Sequence, residues 1–243
     1  MPPADDPTSR RDLLRITAVT GTGLLLAGCA HDHAAGEEKD KDKEKAGGEE
    51  DVSPAEDLMR EHGVLKRVML VYDEIVRRIE GAKDFPPEAL AQSAQIIRSF
   101  VEDYHEQLEE QYLFPRFEKA HKLTDLVAVL RQQHQAGRRV TDVVLQRANA
   151  SSLKDASERT KVVTAIREFN RMYAPHEARE DTVLFPAFRS IVSGNEYDAL
   201  GEDFEKKENQ LFGEEGFERM VDKVAGIEKT LGLYDLAQFT PRA

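Results

Sequence analysis

The chain predicts an all-α fold, an up-and-down four-helix bundle over residues 53–193 followed by two shorter C-terminal helices within 194–243. Three observations carry the prediction. From Ser53 onward apolar residues recur at alternating steps of three and four, the period of a helix that buries one face. Clusters of glycine, proline and asparagine divide this pattern into four long segments with short links, the layout of antiparallel neighbours. A block in the second segment reappears without a gap in the fourth, so the bundle reads as one helical hairpin written twice.

The first helix opens on Ser53-Pro54-Ala55-Glu56, a capping box with proline at the first helical position. Its seam is Leu58, His62, Leu65, Met69, Tyr72, Val76 and Ile79, and Gly81 with the Phe85-Pro86-Pro87 turn ends it. A second helix is expected from about Glu88 to Phe114, with a seam of Ile97, Val101, His105, Leu108 and Tyr112. It should stop at Pro115, since proline removes a helical donor and crowds the preceding turn. Thr124 is the expected cap of the third helix, whose seam is Val127, Leu130, His134, Gly137, Thr141 and Val144. After a break from Asn149 to Ser152, the fourth helix carries Val162, Ile166, Phe169, Tyr173, His176, Glu180 and Val183 and should end before Pro186. Two shorter amphipathic helices follow, about Glu196 to Phe212 and Phe217 to Leu231. Their Leu211, Phe212, Phe217, Met220, Val224, Ile227 and Leu231 are expected to lean on the bundle.

Composition removes several functions. With 34 basic against 46 acidic side chains the net charge is −12, which repels phosphate, and no basic stripe offsets it, so no nucleic acid partner is expected. A single cysteine, Cys29, excludes an intramolecular disulfide framework and a cysteine-based zinc or iron–sulfur site. Any metal must be held by nitrogen and oxygen.

The first 28 residues read as an export signal. Arg10-Arg11 precedes a mild apolar stretch from Ile16 to Ala27, too short to span a bilayer, which takes about 20 mostly apolar residues. The arginine pair resembles a twin-arginine signal, and Leu26-Ala27-Gly28-Cys29 resembles a bacterial lipobox, implying lipidation of Cys29 and attachment to a membrane outside the cytoplasm. Residues 29–52 then form an acidic, lysine-bearing tether with almost nothing apolar to bury, in which His31 and His33 read as part of the spacer.

The repeated block carries the chemistry. His105-Glu106-x-x-Glu109-x-x-x-Leu113-Phe114-Pro115-x-Phe117 matches His176-Glu177-x-x-Glu180-x-x-x-Leu184-Phe185-Pro186-x-Phe188. His62 stands 43 residues before His105, and His134 stands 42 before His176. A seam position should be apolar, because an unpaired buried polar group costs about 2–7 kcal/mol and a carboxylate more. Four seam histidines, one per helix, with two in-phase glutamates are difficult to satisfy by mutual hydrogen bonds and easy to satisfy with cations. Residues four apart lie one above the other on a helix face, so His105 with Glu109 and His176 with Glu180 each present a nitrogen and a carboxylate to one centre. The candidate metal ligands are therefore His62, His105, Glu109, His134, His176 and Glu180. Six ligands exceed one tetrahedral zinc and suit two iron ions, non-haem and carboxylate-bridged, with two imidazoles each and positions left for a small molecule.

This constellation resembles the hemerythrin-like, HHE cation-binding family over about Ser53 to Ile191. A ferritin-like di-iron bundle would instead show Glu-x-x-His, which the repeated block lacks. The resemblance implies a di-iron centre that binds dioxygen reversibly, with members that bind nitric oxide, sense redox state or handle iron. The oxygen carriers place a fifth histidine one turn after the third-helix histidine; here that position is Arg138, matched by Lys66 in the other half. Their last carboxylate is an aspartate five residues after the final histidine, where this chain has Asp181 beside Glu180. A regular helix favours Glu180, about 40° from the histidine's direction against about 140° for Asp181, although Pro175 in the preceding turn can bend the helix enough to reverse that order.

Phe114, Phe117, Phe185 and Phe188 follow the ligand turns, either walling the site or packing the core beneath it. Tyr104, Tyr112 and Tyr173 are candidate donors near a bound ligand, and His121 falls in a charged, exposed loop. The expected function is a binding protein for dioxygen or nitric oxide at an envelope surface, anchored in the membrane through lipid at Cys29. The alternatives are an enzyme using the same centre for oxidase, peroxidase or nitric-oxide chemistry, for which no separate acid, base or nucleophile stands out, and an iron-handling protein. A metal-free bundle with hydrogen-bonded polar seams is the structural alternative. The sequence names no electron donor.

Overall fold

The computed structural model describes residues 52–241; Arg10-Arg11, Cys29 and the tether histidines His31 and His33 lie outside the described residues. Helix α1 spans Pro54–Glu80, and Ser53 caps it by accepting the Glu56 N–H at 3.3 Å. Helix α2 is built from Pro87–Ile96, a π-helical stretch Ile97–His105, the turn Glu106–Leu108, a second π stretch Glu109–Leu113 and the last turns Phe114–Lys119. Helix α3 spans Thr124–Arg147. Helix α4 runs through Ala156–Arg179, a π stretch Glu180–Leu184 and Phe185–Phe188. Each helix packs on its chain neighbours and α4 closes back on α1, which is the up-and-down bundle. Among the described residues no helix is long and apolar enough to cross a membrane.

The prolines do not end the helices where the spacing predicts. Pro115 and Pro186 lie inside α2 and α4, which continue to Lys119 and Phe188. A proline ring clashes with the carbonyl four residues back and cannot donate to it. The π stretches immediately before each proline reach five residues back, so the widened turn absorbs both demands. The same extra reach rotates the seam. Tyr112 and Val183, predicted to face the core, are half-buried, and Leu113 and Leu184 one residue later are fully buried.

The start of α3 also differs from the expected threonine cap. Thr124 is already helical, and the boundary residue is Leu123 in the left-handed region (φ 50°), with no side-chain cap. The chain turns there through two positive-φ residues, His121 and Leu123, which moves the boundary one residue earlier than a threonine cap requires.

The core continues above and below the histidine level. Tyr72 meets Phe169 edge-on at 5.7 Å, and Phe117 faces Phe188 at 6.0 Å, all four rings fully buried. Helices α5 (Gly194–Phe212) and α6 (Gly216–Leu231) form a hairpin against α1 and α2. The hairpin turns tightly at Gly216, where an added Cβ would lie 2.8 Å from Phe212 Cβ and 2.9 Å from Glu208 Oε1. Arg67 of α1 makes a two-pronged bond to Glu228 of α6 at 2.9 and 2.6 Å, and Arg78 donates to the Leu231 carbonyl at 2.6 Å. Met220, Val224, Ile227 and Leu231 are buried against the bundle and Phe212 and Phe217 partly so, whereas Leu211 points outward at 53% exposure.

Candidate metal centre

One histidine from each bundle helix reaches the same level of the core: His62 from α1, His105 from α2, His134 from α3 and His176 from α4, all at 4% exposure or less. They pair across helices, with ring centroids 4.7 Å apart for His62 and His105 and 5.1 Å apart for His134 and His176. Glu109 and Glu180 are fully buried between these pairs. A carboxylate oxygen of Glu109 lies 3.7 Å from His105 Nε2 and 3.4 Å from His134 Nε2. The matching oxygen of Glu180 lies 3.1 Å from His176 Nε2 and 3.4 Å from His62 Nε2. Each glutamate therefore touches one histidine of either pair, the relation a bridging carboxylate requires.

The outer ring nitrogens are pinned in the same twofold pattern. His62 Nδ1 meets Asp181 at 2.7 Å and His134 Nδ1 meets Glu110 at 2.9 Å, each partner being the residue after a core glutamate. His105 Nδ1 meets Glu61 at 2.7 Å and His176 Nδ1 meets Gln133 Oε1 at 2.8 Å, each partner being the residue before a core histidine. A carboxylate or an amide oxygen can only accept, so every Nδ1 is the donor. In the neutral ring Nε2 then carries the lone pair, turned toward the glutamates, which is the tautomer a metal-binding imidazole needs.

The unsatisfied atoms test whether cations fit. Both oxygens of Glu109, both oxygens of Glu180 and the Nε2 atoms of His105 and His134 are buried without a hydrogen-bond partner. Each such atom costs about 1–3 kcal/mol, more when charged. The protein compensates only in part. Burial and the neighbouring Glu180 charge hold the Glu109 carboxyl above its usual range. Burial opposes protonation of His62, but its bond to Asp181 and the nearby negative charge of Glu180 outweigh that and raise it to about 10. Burial pushes His105 down to about 4. Cations at the lone pairs would satisfy all six donors together, and imidazole with carboxylate suits iron, zinc or manganese rather than a thiophilic ion.

Asp181 sits behind His62, while Glu180 occupies the core, so the two carboxylates compared in the sequence take different places. Arg138 binds carboxylates, with its Nη2 2.7 Å from Glu106 and 2.9 Å from Glu110. Lys66, its counterpart, lies 3.7 Å from Glu177 and 3.8 Å from Asp181. Phe185 stacks on His62 and Phe114 on His134, both at 5.5 Å and 23°, closing each pair with an apolar face. The Tyr173 hydroxyl donates to Glu106 at 2.5 Å, and Tyr112 packs on Phe204 of α5. His121 is exposed in the turn between α2 and α3. Glu61, Glu110 and Gln133 escaped the sequence reading; extending the internal repeat by one residue on either side of each ligand position would have found them.

The family description Hemerythrin HHE cation binding domain matches residues 53–188. Uncharacterized proteins of Mycobacterium tuberculosis and Mycobacterium bovis are 49% identical over 242 residues, covering 99% of this chain and 93% of theirs. No solved structure matches the chain.

Proposed function

Because the chain belongs to the hemerythrin HHE cation-binding family, we propose that it is a non-haem di-iron protein that binds dioxygen or nitric oxide. His62, His105, His134 and His176 would hold the two ions, bridged by Glu109 and Glu180. The observation that carries this reading is that each buried glutamate reaches a histidine of both pairs while its oxygens have no hydrogen-bond partner. Two ferrous ions held by these residues would supply electrons to a small diatomic ligand.

The residues around the centre suit binding better than turnover. An enzyme needs a proton donor or acceptor free to act at the reacting atoms. The Tyr173 hydroxyl is committed to Glu106, and the Arg138 guanidinium to Glu106 and Glu110. Phe114 and Phe185 lay apolar faces on His134 and His62, which keeps water away from the imidazoles.

The exported location rests on Arg10-Arg11 and Leu26-Ala27-Gly28-Cys29, with residues 29–52 as the spacer. Cys29→Ala would move the protein from the membrane fraction to the soluble envelope fraction. Metal analysis with an anaerobic-to-aerobic spectral titration tests the centre. His105→Ala and His176→Ala should each lose iron and melt at a lower temperature than the parent, and His121→Ala should change neither. Equal iron in all three variants would refute the ligand set; steady turnover with a reductant, without a recoverable ferrous form, would refute carriage.

A further inference from the structure

The twofold pattern behind the histidines is broken at one position, and the break favours one half of the centre. His62 and His105 are both backed by carboxylates, Asp181 and Glu61. His134 is backed by Glu110, but His176 by the neutral amide of Gln133. The flanking cations deepen the difference. Arg138 bonds the same Glu110 oxygen that His134 uses, at 2.9 Å, and so takes up part of its charge. On the other side Lys66 is half-exposed and 3.8 Å from Asp181. The Glu61 carboxylate also lies within 4.8 Å of those of Asp57 and Glu208.

An imidazole that donates its Nδ1–H to a carboxylate gains electron density at Nε2, whereas one that donates to an amide gains little. The bridging glutamates are shared between the two pairs and cancel from the comparison. We propose that the His62–His105 pair is the high-affinity half of the centre and fills with a divalent cation before the His134–His176 pair, with Glu61 and Gln133 setting the order. This rests on the metal-centre reading above. Four equivalent histidines would make the two ions alike; the residues behind them make them unequal.

The test is an anaerobic titration of the metal-free full chain with cobalt(II), followed by visible absorption and calorimetry. Two binding steps at least about tenfold apart are expected, the range over which outer partners of metal-bound histidine alter affinity. Glu61→Gln, which keeps the shape and the acceptor but removes the charge, should weaken the first step by about 10–100-fold. Gln133→Glu should strengthen the second step until the two merge. His105→Ala should abolish the tight step and His176→Ala the weak one. Two indistinguishable steps in the parent chain would overturn the proposal, as would Glu61→Gln weakening only the later step or Gln133→Glu failing to strengthen it. A folded parent chain that takes up no cobalt would overturn the metal centre itself, an outcome distinct from two equal sites. Circular dichroism of each variant confirms that the bundle is intact.

Discussion

Replacing Glu102 by glutamine should stabilise the protein at alkaline pH and leave it unchanged in acid. Glu102 lies one turn before His105 on α2 and is fully buried. Its ion pair with Arg98 spans 2.9 Å, but Arg98 also bonds Asp142 at 2.5 Å and the Arg138 carbonyl at 3.1 Å, so it keeps partners when the charge goes. Burial, helped by the nearby Glu106, raises the Glu102 carboxyl from 4.5 to about 7 against the opposing pull of Thr141, Arg98 and Arg138. The folded state therefore holds this proton more tightly than the unfolded chain. Below about pH 4.5 both states are protonated and the residue costs nothing. Between about pH 4.5 and 7 the unfolded chain gives up this proton while the fold keeps it, so stability falls across that window and the full cost is reached above 7. At about 1.4 kcal/mol per tenfold in proton affinity, the ionised carboxylate costs about 3 kcal/mol. Glu102→Gln keeps the volume and removes the charge, so it should gain about 2–3 kcal/mol at pH 8 and close to nothing at pH 4. Urea unfolding of the metal-free full chain at both pH values measures the difference, and the other titrating groups cancel between variant and parent. A variant less stable than the parent at pH 8 would show that the Arg98 pair outweighs the burial of the charge.

The glycines beside two of the histidines should respond in opposite directions. A Cβ at Gly137 would lie 2.1 Å from the Tyr173 hydroxyl and 2.8 Å from its Cζ, so Gly137→Val should cost about 2–3 kcal/mol of overpacking in chemical unfolding. Gly63 has nothing within 4 Å, and Gly63→Ala should gain about 1 kcal/mol from helix propensity alone. Tyr173→Phe removes a buried donor from Glu106 and should lower stability by about 1–2 kcal/mol by the same measurement. Arg67→Met, which breaks the two-pronged bond to Glu228, should cost about 1–2 kcal/mol and raise amide hydrogen exchange in α6 before the bundle. Uniform exchange across both would show that the hairpin is held by its apolar face alone.

The bundle was legible because its signal is periodic. Leu58, Leu65 and Tyr72 on α1 and Val127, Leu130 and Val144 on α3 are buried where the alternating steps put them. The six polar seam residues were legible for a related reason: they break an apolar pattern at the same level twice. The π stretches were not legible, since a turn widened by one residue leaves the composition unchanged and shows only as a slip of the seam, from Tyr112 to Leu113 and from Val183 to Leu184. Prolines at 115 and 186 then read as stops, although the widened turns accommodate them. The partners behind the histidines were hidden because Glu61, Glu110 and Gln133 sit among many other acids and amides on helices rich in charge. Their matched places in the repeat mark them as candidates, and the direction of each ring, a property of packing, makes them partners.

The pinning of all four imidazoles from behind has a consequence for ion choice. Rings held at Nδ1 on four separate helices cannot swing inward or outward freely, so the aperture between the Nε2 atoms belongs to the scaffold and not to its guest. In the proposed centre a cation of unsuitable radius would have to lengthen or compress its own bonds, and discrimination between metals of similar donor preference would then rest on size.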